Sequence, residues 1–184
     1  MRNLVSTTLL ALALTLSACN KAPPAAPPEP VAEVPAEVTG HFCGMYLSEH
    51  EGPKGQAHLS SRDTPLWFTS VSQTIAFLRL PDEPGDVTAV YVNDMGRAQN
   101  WDQPEADTWI PLQDAWLVLG SDRRGGMNED EAVPFGSEDA ARAFAREHGG
   151  RVVQLDDVPD SYVMGSSDPG DHAHDADAQQ HSTH

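Results

Sequence analysis

The stretch Gly40-His41-Phe42-Cys43-Gly44-Met45 places an imidazole, a thiol and a thioether within a few positions of one another. If this stretch is extended, side chains alternate with a period of two, so His41, Cys43 and Met45 share one side. A thiolate, a thioether and an imidazole form a soft donor set that suits Cu(I) above all. Zinc prefers four N, S or O ligands and rarely takes methionine. Small buried Cys and Met side chains also serve as ordinary core filler, which is the competing reading of the pair. Two more methionines stand in loop-like sequence, Met95 in Asn93-Asp94-Met95-Gly96-Arg97 and Met127 in Arg123-Arg124-Gly125-Gly126-Met127-Asn128. A loop methionine can bind a ligand, or it can plug its loop against the body of the protein. The residues thus offer Cys43 and Met45 as a sulfur pair, with a third donor from Met95, His41 or Met127.

The cysteine count sharpens this. The chain of 184 residues has two cysteines. Residues 1–17 carry Arg2 and then an apolar run from Leu9 to Leu16, the charged start and hydrophobic middle of a secretory signal. The run is shorter than the roughly 20 apolar residues of a transmembrane helix. It ends in Leu16-Ser17-Ala18-Cys19, which looks like a bacterial lipobox, with residues 1–18 removed and Cys19 lipidated. Asn20 rather than an aspartate follows Cys19, which favours the outer over the inner membrane. With Cys19 carrying lipid, Cys43 is the one thiol of the mature chain, and a lone thiol in an oxidising compartment is a hazard unless buried or used.

The elements that must position these residues can be read between two polar arms. Residues 19–39 contain Pro23-Pro24, Pro27-Pro28, Pro30 and Pro35 without apolar periodicity, and read as an extended or disordered tether. Residues 165–184 hold four of the eight histidines and no large apolar residue, and read as a disordered tail able to bind Cu(II), Ni(II) or Zn(II) loosely. Between them, residues 40–164 form the folded domain. It contains a repeat: Phe68-Thr69-Ser70 and Phe135-Gly136-Ser137 lie 67 positions apart, as do Ala76-Phe77 and Ala143-Phe144. Ser70 and Ser137 are N-caps. The first helix has a Val71, Ile75, Leu78 stripe and stops at Pro81; the second opens with Glu138 and Asp139 and ends at Gly149-Gly150. Strands are expected at 56–60, 65–69 and 87–92, and again at 115–119, 132–135 and 151–155. The fold class is therefore α+β, two tandem ββαβ units packed over a shared core.

The formal net charge of −17 excludes nucleic acid as a partner, because phosphate binding needs clustered Lys and Arg. The sequence has no Cys-x-x-Cys for disulfide exchange and no Gly-x-Ser-x-Gly nucleophile motif, so it does not read as an enzyme. A non-metal binding or scaffold lipoprotein is the alternative, with Trp67, Trp101, Trp109 and Trp116 lining a partner surface or anchoring the core.

Several motifs then occur in order: His41-Phe42-Cys43-Gly44-Met45, Pro65-Leu66-Trp67-Phe68-Thr69-Ser70, Tyr91-Val92-Asn93-Asp94-Met95-Gly96-Arg97 with Trp101-Asp102, and Gly125-Gly126-Met127 with Ala132-Val133-Pro134-Phe135. Together with the lipobox they resemble the NosL family, accessory lipoproteins of nitrous oxide reductase, over about residues 40–159. The resemblance implies a periplasm-facing Cu(I) chaperone held to the membrane by its lipid. It would supply the copper centres of nitrous oxide reductase and work with an ABC-type complex, NosDFY. The fold implied is a pair of ββαβ units resembling part of organomercurial lyase. Such lyase chemistry wants more than one cysteine beside a carboxylate, and the mature chain has one. With the family motif around it, Met95 is the favoured third ligand, then His41. The His-rich tail lies outside the family pattern.

Overall fold

The computed structural model describes residues 26–165. The lipobox with Cys19, and the Asp/His-rich tail beyond Gly165, lie outside the described residues.

Two similar units follow one another. In the first, β1 (Gly55–Leu59) is flanked by β2 (Leu66–Phe68) and β3 (Val87–Asn93), with α1 (Val71–Arg79) between β2 and β3. In the second, β5 (Trp116–Leu119) is flanked by β6 (Val133–Phe135) and β7 (Arg151–Val153), with α2 (Glu138–His148) between them. All pairings are antiparallel, and with β4 (Trp109–Pro111) on the edge of the first sheet the sheet orders are β2-β1-β3-β4 and β6-β5-β7. Both units are thus ββαβ, as the repeat predicts. The register shows where the repeat breaks. Phe68 and Phe135 hold equivalent places, but Gly55 pairs with Phe68 at a separation of 13 positions and Trp116 with Phe135 at 19. The second unit's first connection is longer, and it carries the Gly125–Met127 loop.

The caps form as their residue types dictate. The Ser70 hydroxyl accepts from the Gln73 N–H and that of Ser137 from the Ala140 N–H. Gly150, at φ +91°, crosses so close to the second sheet that a Cβ there would sit 2.6 Å from the Leu119 carbonyl oxygen. The shared core is real: Val71 and Ile75 of α1 and Val92 of β3 pack with Leu117, Leu119, Ala132 and Val153 of the second unit. Leu78, expected on the same stripe, is substantially exposed. Phe77 instead fills the space over Ala57, Leu59 and Phe68, because α1 faces its own sheet and the second unit at once.

Two short elements carry no sequence signal: β4 (Trp109–Pro111), an edge strand on β3 where Pro111 is tolerated, and α3 (Asp160–Met164). A larger difference concerns the Pro-rich arm. From Pro28 onward it is docked rather than free. The Val31 N–H and C=O pair reciprocally with the buried Gln56 amide at 2.8 and 3.0 Å. The Tyr91 hydroxyl donates to the Pro28 carbonyl at 2.7 Å and Trp109 Nε1 to that of Ala32 at 2.9 Å. The Leu47 N–H donates to the Val38 carbonyl at 3.1 Å. The folded unit therefore begins before Gly40.

Candidate metal centre

The segment bearing Cys43 is not extended. Residues 40–45 form a closed loop in which the Gly40 N–H donates to the Met45 carbonyl (2.9 Å) and the Gly44 N–H to the Gly40 carbonyl (2.8 Å), with a bridge between Thr39 and Tyr46. Gly44 sits at φ +67°, a conformation that favours glycine, and this reverses the chain. The period-two argument for a common side therefore does not apply. The His41 N–H fastens the loop to the Trp67 carbonyl of β2 at 2.7 Å.

Gly40 is what lets the thiol tuck in. A Cβ there would lie 2.7 Å from Cys43 Sγ and 3.0 Å from Thr69 Cγ2. Cys43 is half-buried, and the neighbouring Phe42, Met45 and Tyr46 are exposed. His41 turns elsewhere. Its ring packs among Phe42, Phe68 and Phe77, and its Nε2 bonds Glu83 Oε2 at 3.0 Å.

The two loop methionines have different surroundings. Met95 is half-buried against Val118, Val133, Phe135 and Ala141, the core beneath α2, so it plugs its turn. Met127 is 44% exposed at the tip of its loop. A Cβ on the preceding Gly126 would meet the Thr69 carbonyl oxygen at 2.8 Å, His50 Cβ at 2.7 Å and the Glu51 carbonyl oxygen at 3.3 Å. Thr69 is thus the common neighbour: the Cys43 loop rests on one part of it and the Met127 loop on another. Cys43 and Met45 lie on the first of these loops and Met127 follows Gly126 on the second, while Met95 packs into the core of the second unit.

One residue here gives no sequence signal. His50 is buried, and its Nδ1 lies 2.7 Å from the Gly126 carbonyl oxygen. That oxygen only accepts, so Nδ1 carries the hydrogen and Nε2 keeps its lone pair. Nε2 is buried and has no hydrogen-bond partner. The bond fixes the orientation of this imidazole at the base of the Met127 loop. Among the described residues, no group of three or more His, Cys, Asp and Glu side chains is placed to hold a metal ion.

Beneath the same loop lie two buried ionisable groups, Glu131 and Lys54. Burial pushes the Glu131 carboxyl up to about 8, against the pull of the Ser72, Ala132 and Val71 N–H groups that donate to it. Burial lowers Lys54 to about 8, while the carboxylates of Glu131, Glu51 and Glu129 act to raise it. Glu131 Oε1 accepts from the N–H groups of Val71 (3.1 Å), Ser72 (3.0 Å) and Ala132 (2.8 Å), joining the start of α1 to the second unit.

Sulfur side chains of this kind suit a soft cation. Residues 30–163 match the NosL family. The Copper-binding lipoprotein NosL of Achromobacter cycloclastes is 44% identical over 172 residues, 89% of this chain and 85% of that protein. The protein of the same name from Stutzerimonas stutzeri is 32% identical over 124 residues, 67% of this chain and 63% of that one. The crystal structure of the copper chaperone NosL from Shewanella denitrificans, 30% identical, superimposes with a TM-score of 0.66 over 72% of this chain and 97% of that one. Matched from the docked arm at residue 30 to α3 by one family, and sharing its α+β architecture, the chain belongs to the NosL family.

Proposed function

We propose that the protein is a copper chaperone that carries Cu(I) at the junction of the two loops. Cys43 binds as thiolate, Met45 is a second sulfur and Met127, rather than Met95 or His41, is the third. The observation that carries this reading is the shared contact of the Cys43 loop and the Gly126-Met127 loop with Thr69. Low coordination by soft sulfur suits Cu(I) and leaves room for a donor from an acceptor protein to add before an old ligand departs. Copper displaces the thiol proton, since the thiolate is the ligand, so binding weakens as pH falls.

The copper-binding names of the relatives support cargo carriage rather than catalysis. Their lipoprotein names, with the Leu16-Ser17-Ala18-Cys19 sequence, support a chain anchored through Cys19. We read it as facing the periplasm from the outer membrane and delivering copper for assembly of the copper centres of nitrous oxide reductase, in concert with an NosDFY-type ABC complex. Cu(I) competition titration of the mature chain tests the site. Cys43→Ala abolishes stoichiometric Cu(I) binding, and retention of high-affinity binding in that variant overturns the assignment.

A further inference from the structure

The two sulfur-bearing loops come from different units, and a chain of side chains connects them. The Thr69 hydroxyl, beside the Cys43 loop, donates to Gln73 Oε1 at 3.1 Å. Gln73 Nε2 donates to Glu129 Oε1 at 3.4 Å. Glu129 Oε2 accepts the backbone N–H of Met127 at 2.7 Å. The direction of every link is fixed. A carboxylate only accepts, so Gln73 must turn its amide NH2 to Glu129 and its oxygen to Thr69. Gln73 is itself held, because its own N–H is bonded to the Ser70 cap at 3.2 Å in the first turn of α1. Both Glu129 oxygens are thereby engaged with protein groups.

We propose that Gln73 and Glu129 form a positioning strut that holds the Met127 loop in place against the Cys43 loop and so sets how many sulfurs reach the metal. This rests on the copper reading above and adds residues that bind no metal themselves. The strut adds a side-chain tie to the close packing at Thr69 and to the hydrogen bond between His50 and the Gly126 carbonyl.

An exchange of the two side chains tests it in the mature chain. Gln73→Glu sets two acceptor-only carboxylates face to face and breaks the central link. The double variant Gln73→Glu/Glu129→Gln restores an amide–carboxylate pair with the roles reversed: the carboxylate at 73 accepts from Thr69 and from the amide at 129, whose oxygen still accepts from the Met127 N–H. Three readouts are taken: hydrogen exchange of the Met127 amide in copper-free protein, Cu(I) affinity, and the count of sulfur neighbours by X-ray absorption. Gln73→Glu is expected to speed Met127 exchange about tenfold, weaken Cu(I) about tenfold and remove one sulfur neighbour, and the double variant to restore all three. Unchanged Met127 exchange in Gln73→Glu overturns the strut. So does faster exchange with an intact sulfur count, or a folded double variant that restores nothing. If the unaltered chain binds no Cu(I), the copper reading fails by itself, and Met127 exchange still decides whether the strut holds the loop.

Discussion

Glu131 of the second unit accepts hydrogen bonds from the backbone N–H groups of Val71 and Ser72, at 3.1 and 3.0 Å, where α1 of the first unit begins. Ser72 returns the contact. Its hydroxyl donates to the Asp130 carbonyl at 2.8 Å and accepts from the Ala132 N–H at 3.0 Å. One carboxyl group therefore satisfies helix N–H groups that would otherwise be left unpaired in the interior.

This clasp predicts a pH dependence. The folded-state pKa of Glu131 is raised from 4.5 to about 8, so the folded protein holds a proton that the unfolded chain releases. Its contribution is fully present below about pH 4.5 and is lost as pH rises through about 8. Glu131→Gln keeps the Oε1 acceptor and removes the titration. Melting curves from about pH 5 to about pH 8 should fall by several degrees more in the parent than in Glu131→Gln. Glu131→Ala orphans the helix donors and should cost about 3 kcal/mol near pH 5, measured by urea unfolding.

The two loop methionines separate metal binding from packing. Met127→Leu should weaken Cu(I) by about tenfold or more with little change in melting temperature, because the side chain is exposed. Met95→Ala should do the reverse, lowering stability by about 1–2 kcal/mol through lost packing beneath α2 while leaving affinity unchanged. Paired titrations and melts check both, and a Met95 variant that loses copper would restore Met95 as a ligand.

Two glycines should respond differently to alanine. At Gly40 the nearest obstacle to a Cβ is the Cys43 sulfur, the free end of a side chain, so the thiol rotates away. Gly40→Ala should fold nearly normally and bind Cu(I) more weakly. At Gly126 the obstacles are the Thr69 carbonyl and His50 Cβ, which cannot move aside cheaply. Gly126→Ala should lose about 2 kcal/mol of stability and copper affinity together.

The docked arm makes its own prediction. Gln56→Leu removes the reciprocal pairing with Val31 and should raise protease cleavage within residues 28–36, while the body of the domain resists cleavage as before.

The legible parts of this protein are those written in side-chain type. Ser70, Ser137 and Gly149-Gly150 announce both helices, and the 67-position offset announces the tandem units, because caps and apolar periods depend on residue identity. Cys43 and Met45 stand out for the same reason. The turn at Gly44 was not legible, since a short stretch with glycines at both ends can extend or fold back equally well. His50 was silent because its role comes from a partner 76 positions away. Telling Met95 from Met127 takes the tertiary packing, which half-buries the first and exposes the second. The arm looks free in the sequence because its docking uses the backbone of Pro28, Val31 and Ala32, and backbone groups are the same in every sequence.

That docking shortens the leash. Pro28 lies nine positions after Cys19, the proposed lipid site. In an extended proline-rich chain that is a reach of about 28 Å, whereas an arm free to Thr39 would reach about 62 Å. By volume, the shorter leash confines the domain to about a tenth of the space and raises its local concentration at the bilayer about tenfold. The Gln56, Tyr91 and Trp109 contacts thus act as a range setting: with Cys19 as the proposed anchor, they fix how far from the bilayer the folded domain can swing.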